Sequence, residues 1–397
     1  MISLRTLALS LLLVLSAPLV QTASAQVGGA AVVFLMIEPD SRAAGMGNAN
    51  VAIADNANAV FWNPAGLAFQ TGSSVGITHS NWLPEFNANL FYEYAVGKVA
   101  VDNIGTFGAH ITYFNLGTHE ATDELGNSLG QFKSYDLAAG LSFGRQITDN
   151  LGIGVSARTI VSNLATGISI DTDTEVKRGV SFGLDLGLLY KSDKFDLGGS
   201  KASFNVGANL ANMGPTVGYT EGGQRDPIPT NLRFGYAFTL DIDEFNSITF
   251  ANDFNKALYR VTSDSVFNAD GTPTLDENDR AVIERNVDPW YRAIFSAWAP
   301  LEVDLTPGND REDARELNAF DQMTVGLGAE YWYNQLFAMR AGYFYENPYN
   351  GNREFITFGA GIRYNIFGVD FSYIYALEED SPLANTMRFS VLLDFQR

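Results

Sequence analysis

Cysteine is absent from the 397 residues. Its absence removes disulfides, thiolate catalysis, cysteine-ligated metals and lipid attachment at an N-terminal cysteine; in an exported chain it suits a bacterial envelope protein. Positive charge is scarce: 25 Lys and Arg face 45 Asp and Glu, a formal net charge of −20. Phosphate backbones repel so acidic a chain, and nucleic acid is not an expected partner. Long apolar runs are missing too. After the first 25 residues nothing approaches the roughly 18 apolar residues of a spanning helix, so a membrane protein with this sequence must cross without helices. The three histidines, His79, His110 and His119, show no H-E-x-x-H or similar ligand spacing. They read as rim or lumen polarity, and neither a metal nor a cofactor is expected.

Residues 1–25 have the form of an export signal. Arg5 is the charged start, Leu7 to Val20 the short apolar stretch, and Ala23-Ser24-Ala25 the small-residue cleavage site. Gln26 then begins the mature chain, whose charge is 24 minus 45, or −21. The acid is concentrated in residues 261–321, with 14 Asp and Glu against 5 Arg, which marks a solvated stretch rather than core. Charged residues make up only 18% and aromatics 13%, with 38 glycines, whereas soluble domains carry about 25% charged residues and about 7% glycine. Length permits two domains, but one period runs through the chain.

Residues 385–395 show that period. Met387, Phe389, Val391, Leu393 and Phe395 share one parity, while Arg388, Ser390 and Asp394 share the other. Such alternation gives a strand one greasy and one polar face. Val180, Phe182, Leu184, Leu186, Leu188 and Tyr190 repeat it, as do Ile356, Phe358, Ala360, Ile362 and Tyr364. Fourteen segments are read this way, at about 73–82, 87–97, 104–114, 134–146, 150–162, 177–190, 202–212, 231–240, 247–255, 322–332, 336–345, 354–364, 369–377 and 386–395. Half-buried sheets of soluble proteins also alternate, so three further features decide. Many segments have about the 9–11 residues that cross a bilayer when tilted. After the first hairpin, short and long connections alternate, the habit of outer-membrane barrels. Aromatics gather near strand ends, as in Tyr331-Trp332-Tyr333, Tyr343-Phe344-Tyr345 and Tyr373 with Tyr375, where amphipathic rings suit the lipid interface. The expected fold is an all-β membrane protein, a 14-stranded antiparallel outer-membrane β-barrel over residues 73–397. Closure satisfies every backbone group in lipid.

Residues 26–72 lack that alternation and are rich in Ala, Gly and Asn. Phe34, Leu35, Met36, Ile37, Phe61, Trp62, Leu67 and Phe69 would be wasted on water, and Asn63-Pro64 sets a turn whose first residue is extended. The segment is expected to be a plug in the periplasmic half of the pore. Inward glycines such as Gly326, Gly328, Gly359 and Gly361 leave room for something to approach the wall.

Asn63-Pro64-Ala65 in this position resembles the N-terminal hatch motif of the FadL superfamily, fourteen-stranded barrels that move hydrophobic compounds. The stretches SRAAGMGNANVAIADNANAVFWNPAGLAF (41–69), GLGAEYWYNQLFAMRAGYFYE (326–346), FITFGAGIRYNIFGVDFSYIYA (355–376) and SPLANTMRFSV (381–391) resemble the PorV/PorQ family, and its PorV branch most. The resemblance implies Trp62, Asn63, Pro64, Ala65 and Gly66 as a hatch motif and Arg42, Gly45, Met46 and Gly47 as a hatch turn. It implies a non-enzymatic component of the type IX secretion system in the outer-membrane lipid. Such a shuttle collects cargo by its C-terminal signal domain at the translocon and passes it to a surface attachment complex with a PorU-like sortase. The rival function is FadL-like transport of hydrophobic small molecules. Arg363, Arg388, Glu330, Asp370 and Asp394 face inward and weigh against a greasy path, whereas Ile374 and Leu392 show that apolar inward positions exist. The excursion 256–321 is long and acidic for the family.

Other patterns have plain readings. Two G-x-S-x-G strings, Gly72 to Gly76 and Gly140 to Gly144, fall in or at the start of strands rather than at the strand-to-helix elbow a nucleophile needs. Asn268, Asp270, Gly271 and Glu277 match positions of a calcium loop, but Val266 holds the first position and Pro273 the eighth. Asp171, Asp173 and Glu175 form another acidic knot, and both stretches are read as solvated loops. Asp288-Pro289 opens an amphipathic helix, with Asp288 at the N-cap. Its face of Tyr291, Ile294, Phe295 and Trp298 is either lodged over the barrel mouth or offered to a partner.

Overall fold

The structure is a computed structural model that describes residues 29–86, 89–122, 128–168, 175–266, 268, 272, 274, 282–303, 315–378 and 381–395. The export signal, residues 1–25, therefore lies outside the described residues. Fourteen strands build the wall: β1 (Ser73–Asn81), β2 (Phe91–Val101), β3 (Gly105–Thr122), β4 (Ser128–Gln146), β5 (Leu151–Asn163), β6 (Gly179–Lys191), β7 (Ser200–Met213), β8 (Asn231–Asp241), β9 (Asn246–Ala257), β10 (Met323–Tyr333), β11 (Phe337–Glu346), β12 (Glu354–Tyr364), β13 (Phe367–Ala376) and β14 (Met387–Asp394). Each pairs antiparallel with the next, and β14 returns to β1, Ser74 opposite Asp394 through Asn81 opposite Met387. The sheet is closed, so no wall strand is left as an edge.

The period of two explains the wall. On β6, Val180, Phe182, Leu184, Leu186, Leu188 and Tyr190 are exposed outward while the intervening residues are buried. Ile77, Ile111, Leu141, Phe250, Phe358 and Phe389 extend the same apolar surface around the ring. No helix among the described residues is long and apolar enough to cross a membrane; the strands cross instead. Short connections such as 102–104, 334–336 and 365–366 gather at one end, the periplasmic one by the rule for such barrels. They turn on Asn103, Asn334, Gln335 and Asn365, all with φ between 52° and 63°, a conformation Asn tolerates. In the 242–245 turn, the Asp243 carboxylate accepts from the Phe245 and Asn246 amides at 2.8 Å. The Phe245 amide and the Asn246 side chain hold its pKa below the usual value.

Three expectations need correction here. β3 and β4 run to 18 and 19 residues, well past a bilayer-sized strand, because the hairpin continues to satisfy its own backbone beyond the wall. Trp332 and Phe344 face the lumen rather than the lipid interface, since neighbours along a strand point to opposite faces. Trp332 lies under the Arg340 and Arg363 guanidinium groups, and Phe344 stacks on Phe355 at 4.7 Å. The excursion after β9 is not wholly solvated: Leu258, Val261, Ala293, Ala297 and Leu317 are buried. Its described parts include the hairpin of Val261–Ser265 with Ile283–Val287 and the helix Trp290–Ser296. Apolar residues spaced between the acids let it fold over the outer mouth.

Candidate functional site

The lumen is filled by the N-terminal segment, and contact with the wall dictates its sequence. Asn63 is extended, at φ −165° and ψ 102°, as a residue before proline must be. Its Oδ1 accepts from the Ala65 amide at 3.1 Å, and its Nδ2 donates to the Val51 and Leu188 carbonyls at 3.0 and 2.9 Å. One side chain thus closes the turn, ties it to the preceding loop and anchors it to β6. Pro64 starts the 3-10 helix Pro64–Phe69, where its missing N–H costs nothing. That helix lies against the wall at Gly144, Gly152, Gly154 and Gly187, and a Cβ on Gly154 would overlap the Pro64 and Ala65 backbone. Gly66 is equally close to the Ala54 carbonyl. Trp62 donates from Nε1 to Asp40 at 2.5 Å and meets Phe61 edge-on at 5.2 Å. Asn63→Ala should lower the unfolding free energy of the vesicle-inserted protein by about 1–3 kcal/mol, the cost of leaving buried partners unpaired, and so move its urea midpoint down. Tryptophan fluorescence would follow it, and an unchanged midpoint would remove Asn63 from this role.

Arg42 holds the same segment to the opposite wall. It pairs with Asp55 and with Glu330, at 2.8 Å from Nε and 2.6 Å from Nη2. Glu330 also takes Arg340 at 2.7 Å, Arg340 takes Asp370 at 2.8 Å, and Asp370 takes Arg363 at 2.6 Å. Three cations alternate with three carboxylates, buried except at the exposed Asp55 end, so every charge in the chain is compensated. Gly45 meets Gly359 backbone to backbone, and the buried Met46 packs on Gly328 and Gly342. Gly47 has φ 61° and donates its amide to Thr357 at 2.9 Å. Of the inward glycines, Gly326, Gly328 and Gly359 meet residues 45–49, whereas Gly361 faces Asp370 and Arg340. Ser41 donates its amide to the Ser390 hydroxyl, 3.1 Å away on β14, which also meets Thr78 of β1 at 2.7 Å. The segment is thereby joined to the seam between first and last strands.

The segment does not stop in the periplasmic half. Its residues before 40 reach the outer mouth, where the Ala31 amide donates to the Pro227 carbonyl at 2.9 Å and Gly29 lies against Val261. Phe34, Leu35 and Ile37 draw it there by packing with Tyr92 and Phe114 near the outer strand ends. Beside it remains a cavity of about 500 Å³ that Met36, Trp82, Phe344, Arg233 and Lys256 help to line. Tyr259 also lines it; burial, then the Glu346 carboxylate, pushes its phenol pKa up.

Helix Trp290–Ser296 begins one residue later than expected. Pro289, with ψ 147°, is the N-cap, and Asp288 instead accepts from the Ser296 hydroxyl at 2.5 Å. Ala293 and Ala297 are its buried side; Tyr291, Phe295 and Trp298 are exposed, Phe295 to 78%, and Ile294 is half-buried. Phe320 adds another exposed ring in the excursion. Ser142 sits mid-strand, bonded to Ser156 at 2.7 Å. Asp171, Asp173, Asp270, Gly271 and Glu277 lie outside the described residues. Among those described, no three His, Asp or Glu side chains are grouped to hold a metal ion. Sequence reading missed Asp253, which accepts the Asn50 and Val51 amides at 2.8 Å each, and Arg233, which stacks over Phe61 and Trp62. Their inward parity on β9 and β8 was the available signal.

A closed ring of fourteen strands, apolar outside and filled within, defines an outer-membrane β-barrel protein. The family described as Type IX secretion system protein PorV matches residues 20–264, more than half of the chain, and the chain belongs to that family. It is thus an outer-membrane component associated with the type IX secretion machinery. The match includes residues 41–69 but ends before β10, so the three C-terminal stretches quoted for the resemblance lie beyond it. No curated protein matches the chain. Similar solved structures include the toluene transporter TodX of Pseudomonas putida, at 14% identity over 90% of this chain and 96% of that one, TM-score 0.48. Another is the toluene transporter TbuX of Ralstonia pickettii, at 13% identity over 90% and 96%, TM-score 0.43. A FadL homologue of Pseudomonas aeruginosa is 11% identical over 90% and 98%, TM-score 0.41.

Proposed function

We propose that the protein is a carrier, not an enzyme. It collects cargo by a C-terminal signal domain at the translocon and hands it to a surface attachment complex with a PorU-like sortase. Residues 26–72 act as a hatch, with Arg42, Gly45, Met46 and Gly47 and the Trp62-to-Gly66 motif as its fastenings. The supporting observation is the filled lumen: residues 41–70 pack against the wall on several sides, so function falls to the outer mouth and loops. Tyr291, Ile294, Phe295 and Trp298 offer aromatic and apolar surface for a protein partner there.

A second reading, passage of hydrophobic molecules, draws on the apolar side of the outer cavity. It requires the hatch to move. Deleting the chromosomal gene separates the two. The expected result is cargo retained inside the cell with fatty-acid uptake unchanged, measured by proteomics of the medium and by labelled oleate. Normal export with lost uptake would overturn the carrier reading.

A further inference from the structure

Asn252 is an amide on the hydrocarbon side of the wall. It stands between Ala251, which packs with the N-terminal segment, and Asp253, which accepts two of that segment's amides. Strand alternation therefore turns Asn252 outward, with Phe250 and Phe254. It is near the middle of the twelve-residue strand β9, and the middle of a bilayer-crossing strand lies in the acyl region. Its Nδ2 donates to the Gly326 carbonyl of β10 at 2.8 Å, which fixes how the amide is turned. Oδ1 has no hydrogen-bond partner among the described residues and, unlike Oδ1 of neighbouring Asp253, is not sealed from contact. The residue is 5% exposed and lines a groove of about 330 Å³ on the outer surface of β8 to β11. An amide acceptor in hydrocarbon costs free energy until a donor reaches it, and plain lipid tails bring none.

The groove has a definite shape. Its floor is Ala329 and Ala341, directly opposed across β10 and β11, and its rim is Tyr236, Phe250, Leu327 and Tyr343. Two methyl groups among large side chains leave a furrow one side chain deep. Tyr343 donates its hydroxyl at 2.6 Å to Glu354, at the outer end of β12, and so marks the polar boundary of the outer leaflet. Asn252, Leu327 and Tyr343 follow one another in a single cross-strand row, which places the free acceptor just beneath that boundary. The furrow is continuous with the apolar belt that already meets the membrane, so its occupant comes from the bilayer. A neighbouring barrel would present a pleated wall that bridges the furrow without filling it, whereas one acyl chain fits along it. An unsubstituted chain would leave Oδ1 unpaired; a hydroxyl or amide N–H near the carbonyl end of the chain supplies the donor at the right depth.

We propose that this furrow binds one acyl chain of an outer-leaflet lipid, a chain bearing a hydroxyl or amide N–H close to its carbonyl end. That group donates to Oδ1 of Asn252, and the rest of the chain runs toward the bilayer centre over Ala341 and Ala329. Behind the furrow, Gly328 and Gly342 meet the Met46 and Gly47 backbone, so a single layer of backbone separates the bound lipid from the N-terminal segment. The site lies outside the lumen and goes beyond the carrier reading, on which it does not depend.

The test uses the full-length protein in nanodiscs holding equal amounts of lipid A, whose chains carry both groups, and cardiolipin, which has phosphates and several chains but neither group on them. Native mass spectrometry of the released protein should show lipid A retained over cardiolipin by about threefold to tenfold, the worth of about one hydrogen bond. Asn252→Leu, which removes the acceptor, and Ala341→Leu, which fills the furrow, should each bring that ratio towards one. Heat-modifiable migration on gels would confirm that both variants are folded. Equal retention by the unaltered protein, or a preference unchanged in either folded variant, overturns the proposal. Retention of added 3-hydroxytetradecanoate with no preference for lipid A also overturns it and assigns the furrow to a free acid. A dimer that Ala341→Leu abolishes, with no lipid preference, overturns it in favour of a second copy of the chain.

Discussion

Glu330→Ala should loosen the N-terminal segment and make the purified barrel leak ions across a planar bilayer. Glu330 takes Arg42 from the segment and Arg340 from the wall, at 2.6 and 2.7 Å, and its side chain is almost wholly buried. Without it, two guanidinium groups keep their charge and lose a shared partner. Removing one member of a buried pair costs about 3–5 kcal/mol, comparable to a large share of the total stability of many domains. Asp55 retains Arg42 and Asp370 retains Arg340, so the wall should still form. The checks are single-channel current and trypsin cleavage of residues 29–70. A sealed pore with a protease-resistant segment would show that Glu330 is not a fastening. Glu330→Gln should give a smaller effect, because it keeps the shape and half of the acceptor capacity.

Gly342→Leu attacks the same joint sterically. A Cβ at that position would overlap the Met46 and Gly47 backbone, and neither strand β11 nor the loop it faces can yield without breaking pairs. Overpacking costs about 1–3 kcal/mol or more. Here the expected outcome is expulsion of residues 45–49 from the wall, read as pore opening and faster hydrogen exchange at Gly47. Gly198→Leu, in the periplasmic turn after β6 where a Cβ would meet nothing within 4 Å, controls for the loss of a glycine, although its φ of 60° carries some backbone strain. If both variants stay equally closed, backbone contact does not hold the segment.

The wall was legible because period-two alternation reports which side of a strand meets hydrocarbon: Val180, Phe182 and Leu184 could face nothing else. Each of the fourteen strands overlaps the segment that alternation marked, although β2, read at 87–97, runs from Phe91 to Val101. Their ends were less clear, since the long β3–β4 hairpin leaves the membrane without changing its local pattern. Asn63-Pro64 announced a turn, but not that Asn63 reaches Leu188, because no local signal encodes a partner on a strand more than a hundred residues away. Asp253 and Arg233 were hidden for the same reason. Each reads as an ordinary inward polar residue until residues 50–62 are folded beside it. Trp332 and Phe344 show the converse error, aromatic residues assigned to lipid by their company when strand parity points them inward.

The Ser390 hydroxyl joins three parts of the chain that are remote in sequence: β14, Thr78 on β1 and Ser41 of the N-terminal segment. It therefore links the order of assembly to the finished shape. The first strand to be synthesised must wait for the last, and the leader that precedes both is bonded where they meet. Sealing the cylinder and seating its contents become one cooperative step, so a chain arrested before β14 would leave Ser41 without that anchor.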